Sequence, residues 1–501
     1  MFIPNLNQNL CYDSGKEACS VKKTIGIIGM GVSGLAVLLA LSRKKEKELK
    51  QLAIFCFDDT VHFGRGIPFQ EDVDSALINS PINDISFDYR HMSDFMDWLE
   101  ENYYDTNLTY VSRTLYGQYL SERTKLLLDK LPVTIIKTRV DKLNYLSDKQ
   151  QWQVYIQDKL CPVTFDKLHL ACGALPVIDP YHLEGKTDYI EDPYPIKHLA
   201  QENWKRETVA IIGTGLAAID VIKWLLLNTQ SSVKAFSRTN YFPSVRIVND
   251  LPLTWHFFTN DNLKAFLSHP SKTFTIADFN DLMSGELEHL GFKNWKNTTE
   301  TFLSPGIDGL KLAFKYPKQL YLLQQLASRI TVWLTDLWPL MSLSDKKEYK
   351  ALYGKAIINL RNPMPDESAK VILKAAQKGT FSLINNVKTI AKNDEGFSIE
   401  KEKQNHISVD RVINATGYQL NTKNWTKANP LLKSLINQEF CQIDDQGGIT
   451  ILTENAQVLS PKYGPMPGLY AHGALVNGVV YQNNSTIKIQ QMAERAFSDN
   501  K

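Results

Sequence analysis

Two glycine-rich turns lie far apart in the chain, Gly29-Met30-Gly31-Val32-Ser33-Gly34 and Gly213-Thr214-Gly215-Leu216-Ala217-Ala218. Each follows an apolar, β-branched run, Thr24–Ile28 and Val209–Ile212, and each opens an apolar helical stretch. A lone G-x-G-x-x-G is a weak signal, but strand, turn and helix in that order form the context in which it marks dinucleotide binding. The first glycine allows the tight bend, the second admits the backbone to a pyrophosphate, and the third lets helix and strand pack closely. The helix N-terminus then presents free N–H groups and a partial positive charge to the phosphates. The pattern predicts an α/β chain with two Rossmann-like dinucleotide-binding domains, one for a flavin and one for a nicotinamide.

At 501 residues the chain exceeds one ordinary core. Lys and Arg number 56 against 54 Asp and Glu, a formal charge of +2, so no global field draws the protein to nucleic acid or anionic lipid. The expected partner is a small-molecule substrate, and oligomeric state is unpredicted. Six cysteines (Cys11, Cys19, Cys56, Cys161, Cys172, Cys441) lie scattered without the C-x-x-C spacing of a redox dithiol or zinc ribbon. Reduced thiols in a cytoplasmic protein are the expectation. Ile25–Ser42 is almost wholly apolar and follows Lys22-Lys23, as a signal peptide or anchor would. Its glycines divide it into strand, turn and buried helix, so membrane insertion is not expected.

Along the chain, residues 1–20 read as an irregular leader. The FAD-binding domain is expected over 21–205 and 396–501, with the NAD(P)H-binding domain over 206–395 between them. From about 245 to 369 helical periodicity replaces β-α alternation, and Trp255, Trp295, Trp333 and Trp338 enrich the segment. This predicts a helical insertion able to cap a site. Its His256, His269 and His289 fit no metal-ligand spacing, and no metal is expected. Arg361-Asn362-Pro363-Met364-Pro365 has the residues to anchor a substrate carboxylate, but reads rather as a domain-closing turn.

An acidic residue ending the second strand should accept hydrogen bonds from the adenosine ribose. Asp58 stands there, with Asp59 as its alternative. Its distance from Gly29 exceeds the usual spacing of about twenty residues, which a Lys-rich helix extension through Arg43–Glu48 would explain. After the second turn the corresponding strand, Val233–Phe236, ends in Ser237-Arg238 instead of an acid. Nothing there repels a 2′-phosphate and Arg238 can pair with one, so NADPH is expected in preference to NADH.

The ordered set Gly64-Arg65-Gly66-Ile67-Pro68-Phe69, Asn79-Ser80-Pro81, Arg113 through Tyr119, the second glycine turn with Ile219-Asp220, and Asn414-Ala415-Thr416-Gly417 resembles the bacterial FAD-NAD(P)-binding proteins. These are relatives of the class B flavin monooxygenases and of the lysine and ornithine N-hydroxylases. The resemblance covers most of the chain outside the helical insertion. It implies an FAD domain assembled from both ends of the chain and split by an inserted NADPH domain, with Gly64, Arg65 and Asn79 near the flavin and Thr416-Gly417 at a passage between domains. Gly473 and Gly478 of the C-terminal tract complete the expected cofactor-binding set, with Ser33 and Ala218 from the turns.

Two departures stand out: Cys172 replaces a common threonine in Ala171-Cys172-Gly173, and no aspartate follows the glycine of the C-terminal tract. The missing aspartate and the missing C-x-x-C both count against a disulfide reductase. The expected reaction is that of an NADPH-dependent monooxygenase forming a peroxyflavin and oxygenating a small molecule. No catalytic side chain is assigned, because the cofactor carries the difficult chemistry. A flavin reductase or dehydrogenase with another acceptor, and a non-catalytic dinucleotide-binding module, are the alternatives.

Overall fold

The computed structural model describes residues 11–12, 20–59, 61–173, 177–249, 251–269, 273–402, 405–418, 429–445 and 447–498. Most of the expected leader lies outside them. The chain divides into two compact units: Met1–Glu71, Ser80–Pro176 and Gln419–Lys501 form the first, Asp72–Asn79 and Val177–Tyr418 the second.

In the first unit, β1 (Lys23–Ile28) and β2 (Leu52–Asp58) are apolar almost end to end and buried. Such runs suit parallel strands covered on both faces. They pair in register with β3 (Val133–Lys137) and β4 (Lys167–Leu170). Within β1, Gly26 is needed for the approach of β4: a Cβ there would stand 2.5 Å from the Leu168 side chain. Helix α1 (Val32–Ser42) leaves the first glycine turn and is buried from Gly34 through Leu41. A helix apolar all round belongs in a protein interior. The predicted Lys-rich extension of α1 is instead a separate short helix, Glu46–Leu49, after a break at Arg43–Lys45. Helix α2 (Arg113–Lys130) is capped by Ser112.

The second unit carries a parallel sheet in the order β5-β9-β6-β7-β8, formed by β5 (Tyr189–Ile190), β6 (Thr208–Ile212), β7 (Ser232–Phe236), β8 (Phe381–Leu383) and β9 (Arg411–Asn414). Helix α3 (Leu216–Asn228) follows the second glycine turn. The helical segment is an insertion in the β7-to-β8 crossover, and includes α4 (Trp295–Phe302), α5 (Gly306–Lys315), α6 (Pro317–Leu337) and α7 (Lys355–Arg361). Its neck is closed where Val245 bridges Met364, so the Arg361–Pro365 turn returns the chain to the sheet. Helix α8 (Asp366–Gln377) then packs on α3, tied by Lys223 Nζ to Glu367 at 2.5 Å. Trp333 and Trp338 are core residues, whereas Trp255 and Trp295 are only partly buried.

In the first unit the remaining strands are β10 (Ile451–Leu452), β11 (Gln457–Ser460) and β12 (Gly464–Ala471), giving the order β10-β11-β12-β4-β1-β2-β3. The C-terminal α9 (Thr486–Arg495) packs on α1.

The units exchange at 176/177 and 418/419, not at the 205/206 and 395/396 boundaries expected from sequence. The reason is pairing. The apparent single strand Ile407–Asn414 breaks at Asp410, and its second half, β9, hydrogen-bonds to β6 of the mid-chain sheet. Residues 72–79 also join the second unit, where the Asp72 carboxylate accepts the backbone N–H groups of Ile196 (3.0 Å) and Lys197 (2.8 Å). Among the described residues no helix is long and apolar enough to cross a membrane.

Candidate functional site

In the first unit the glycine turn sits between β1 and α1, beside β4. Gly29 has φ +94°, and a Cβ on it would lie 2.7 Å from the Ala171 carbonyl oxygen and from Cys172 Cα at the end of β4. A Cβ on Gly34 would stand 2.1 Å from Gly29 O. The first and third glycines are thus fixed by sterics alone. Gly31 is the N-cap of α1 and places no side chain on the helix end. Ser112, Thr275, Asn294, Ser342, Asn429 and Ser485 cap their helices, whereas α5, α6, α7 and α8, like α1, begin without a side-chain cap, so what sets α1 apart is the glycine turn at its start. The start of α1 therefore keeps its N–H groups and partial positive charge for an anion.

Three further segments close on this turn. Gly64 donates its N–H to Met30 O at 2.6 Å, and Gly66 Cα would lie 3.3 Å from a Cβ on Gly31, so Gly64-Arg65-Gly66 covers the turn with backbone. Gly473, at φ +65°, abuts Ser33, whose Oγ would be 1.9 Å from a Cβ placed there. Asp58 ends β2 and accepts the backbone N–H of Met30 through Oδ2 and that of Asp59 through Oδ1 at 2.7 Å. Its carboxylate thus fixes the turn itself, a role that the sequence reading had not given it. Burial, outweighing those hydrogen bonds, raises its pKa above the usual carboxylate value. Asp59 instead accepts N–H groups of Val61 and His62 and pairs with Arg139 at 3.2 Å. Gly478 (φ +98°) lies in a turn closed by an Asn477–Val480 bridge.

Beside this region lies a buried pair with no forecast in the sequence. His169 of β4 and His472, just before Gly473, meet Nδ1 to Nε2 at 3.0 Å, and both rings are at most 1 % exposed. Tyr470 and Phe497 stack on His169 at 4.8 and 5.0 Å. One ring donates to the other only if both are neutral or one is singly charged, and burial decides for neutrality: it drives the His169 pKa well down and that of His472 to about 3. Cys172 is similarly inert, its thiol pushed up to about 12 by burial.

The second unit repeats the plan. Gly213 has φ +124°, and a Cβ there would stand 2.6 Å from Ala415 O at the end of β9. Ala415-Thr416-Gly417 thus stands to the second turn as Ala171-Cys172-Gly173 stands to the first. Thr416 Oγ donates to Asn414 Oδ1 at 2.9 Å, while Asn414 Nδ2 holds Ile178 O at 3.0 Å. Gly215 caps α3 without a side chain, and among the described residues nothing lies within 4 Å of where its Cβ would be. Ala218, in the third-glycine place, is fully buried. Thr214, the residue between the two glycines, was not anticipated: its Oγ meets Ser237 Oγ and Tyr241 O, both at 2.8 Å, and so ties the turn to the end of β7.

Ser237 is further engaged by Asn240, and Arg238 is exposed. Lys355 of α7 comes from more than a hundred residues away: burial and then the neighbouring Arg238 charge lower its pKa. No sequence signal marks that lysine. Asn79, expected near the flavin, belongs to this unit, where its carbonyl accepts from Arg246 Nη2 at 3.2 Å.

At the second turn, the space beside Gly215 and the side-chain-free helix end agree with a pyrophosphate seat; at the first, the helix end is likewise free of a side chain, but Gly66 Cα stands 3.3 Å from the Cβ position of Gly31.

Residues 26–175 match the FAD-NAD(P)-binding family model. No curated protein sequence matches the chain. Among solved structures, an ornithine hydroxylase from Pseudomonas aeruginosa superposes with a TM-score of 0.55 at 14% identity, over 95% of this chain and 97% of its own. An ornithine N-hydroxylase from Kutzneria sp. 744, with reduced FAD, NADP+ and L-ornithine, gives 0.56 at 12% identity over 95% and 98%. An L-lysine 6-monooxygenase from Pseudomonas syringae gives 0.54 at 14% identity over 95% and 97%. At such identities the likeness is one of fold.

Proposed function

With an FAD-NAD(P)-binding module over residues 26–175 as premise, we propose that this chain is a flavoprotein monooxygenase that holds FAD at the first glycine turn, uses NADPH at the second and oxygenates a small molecule. The observation that carries the reading is the pair of uncapped helix N-termini, α1 and α3, each beginning at a glycine turn between a central parallel strand and a neighbour that ends in Ala-Cys-Gly or Ala-Thr-Gly. Ligands bind at such points because the strand ends splay and the helix dipoles converge there.

In this reading the N–H groups of Val32, Ser33 and Gly34 hold the FAD pyrophosphate, Asp58 keeps Met30 in place, and Gly64, Arg65 and Gly473 enclose the turn. Gly213 and Gly215 admit the NADPH pyrophosphate, and the cationic end of β7, Arg238, receives its 2′-phosphate, since no carboxylate stands there to repel it. When bound, FAD would supply the redox chemistry of the net reaction, in which NADPH is the reductant, O2 the oxidant, one oxygen atom enters the substrate and the other leaves as water. The fold shared with ornithine and lysine hydroxylases favours oxygenation over a reductase, and the substrate is a small molecule of unassigned identity. The proposed domains follow the observed units, the first for FAD and the second for NADPH.

The test is an absorbance spectrum of the purified protein, then oxygen uptake during NADPH oxidation. Bound FAD near one per chain and oxygen consumed in step with NADPH are expected. Turnover that continues unchanged without oxygen assigns the chain to the reductases, and failure to take up FAD makes it a binding module.

A further inference from the structure

Within the second unit the helical insertion holds a cavity of about 190 Å³ that opens to solvent past Ala351, Leu352 and Lys355. Phe302, Leu310, Ala313, Leu320 and Leu352 make its walls apolar, and among the described residues no carboxylate lines it and Lys355 is its one charged lining residue. The Lys355 ammonium stands over the Tyr241 ring at 5.2 Å. A mostly apolar recess open on one side can exchange a ligand with solvent, and a cavity of about 150 Å³ already admits a benzene ring.

A second observation converges on the same place. The helix leading to α7 is interrupted by a π-turn, Lys350–Gly354, whose Ala351 and Leu352 line the cavity and whose Leu352 carbonyl accepts from Trp295 Nε1 at 2.9 Å. Single π-turns within α-helices recur at functional sites. Here the wider turn places Ala351 and Leu352 at the exposed rim of the cavity, Leu352 being 51% exposed, and leaves Lys355, also exposed, at the start of the next helix. With Arg238 close enough to lower the Lys355 pKa, the potential at that lysine is positive.

We propose that this cavity is a binding site for a small aliphatic monocarboxylate of about six to eight carbons, its chain in the void and its carboxylate on Lys355. The site lies away from the first glycine turn and adjoins the second, whose Thr214 Oγ donates to the lining Tyr241 carbonyl at 2.8 Å, but its apolar recess does not depend on the flavin reading. Apolar walls select the chain, and the single cation selects the acid over the matching alcohol.

The test titrates the full-length protein with octanoate and with octanol by calorimetry. Octanoate is expected to bind at one site. Lys355→Met should weaken octanoate about tenfold and leave octanol unchanged, since it removes a charge-assisted contact only. Ala313→Phe and, independently, Ala356→Leu fill the void and should abolish both ligands, with thermal melts establishing that each variant is folded. Equal affinity for acid and alcohol in the unsubstituted protein, or octanoate binding that survives both filling substitutions, overturns the proposal. So does one-for-one displacement of octanoate by adenosine 2′,5′-bisphosphate, which would make the void the seat of the adenine.

Discussion

Gly29 and Gly213 occupy the same station in two sheets, each pressed by backbone against the end of the neighbouring parallel strand. Around them the two units diverge. The first turn is roofed by Gly64–Gly66, met by Gly473 and pinned by the Asp58 carboxylate on Met30. The second has open space beside Gly215 and is held from its flank, through Thr214 and Ser237. A cradle closed on several sides suits a group that stays, and an open one suits a group that comes and goes each cycle. That difference agrees with a resident flavin and an exchanging nicotinamide.

The sharpest way to break the comparison is to add one methyl group to each turn. Gly29→Ala forces an L-residue to φ +94° and drives its Cβ into the Ala171 carbonyl. It should cost at least about 2 kcal/mol of stability, read by urea unfolding, and yield protein without FAD. Gly215→Ala meets nothing and sits at an ordinary φ of −79°. Stability and FAD content should hold while the KM for NADPH rises about tenfold, because the methyl occupies the pyrophosphate approach. Equal FAD loss in both variants would remove the assignment of one cofactor to each turn.

Acidification should separate the units next. His169 and His472 are kept neutral in the first unit, so the unfolded chain binds protons that the folded one refuses. Stability is complete above the unfolded histidine pKa of about 6.5 and falls as the pH drops below it, down to the folded value near 3 for His472. From His472 alone the loss should be about 2 kcal/mol by pH 5. Denaturant titrations at pH 7 and pH 5 measure it, and His472→Leu should flatten the profile.

A smaller effect is expected at the open cradle. Arg238→Ala should raise the KM for NADPH about tenfold and leave NADH untouched, as loss of one exposed phosphate contact predicts. Identical changes with both nucleotides would place Arg238 away from the 2′-phosphate. Smallest of all, the half-buried Cys172 thiol, its ionisation pushed up to about 12, should resist alkylation in the folded protein at pH 8, where a free thiol reacts; mass spectrometry of the labelled protein decides.

Local pattern carried much of the architecture. The runs Thr24–Ile28, Val209–Ile212 and Lys167–Leu170 became strands because a parallel strand buried on both faces needs an unbroken apolar run. The helical insertion was legible from its periodicity, and its neck from Pro363 and Pro365. The division between units was not legible. Ile407–Asn414 reads as one strand, and only pairing with β6 reveals that its two halves serve different sheets. Asp58 was found by position, but its hold on the Met30 N–H depends on where the turn bends in space. Gly473 and Ser33 illustrate the same limit across more than four hundred residues.

The sequence by itself determined that two glycine turns would each join a strand to a helix, since φ above zero and the absence of a Cβ are properties of single residues. It also set the charge at the end of β7, where Ser237-Arg238 stands in place of an acid. Only the tertiary structure decided which distant backbones close each turn, that two histidines would be buried against each other, and that a void with one lysine would form inside the insertion. Those outcomes rest on close packing and desolvation among segments brought together by folding, and neither quantity is carried by any one stretch of chain.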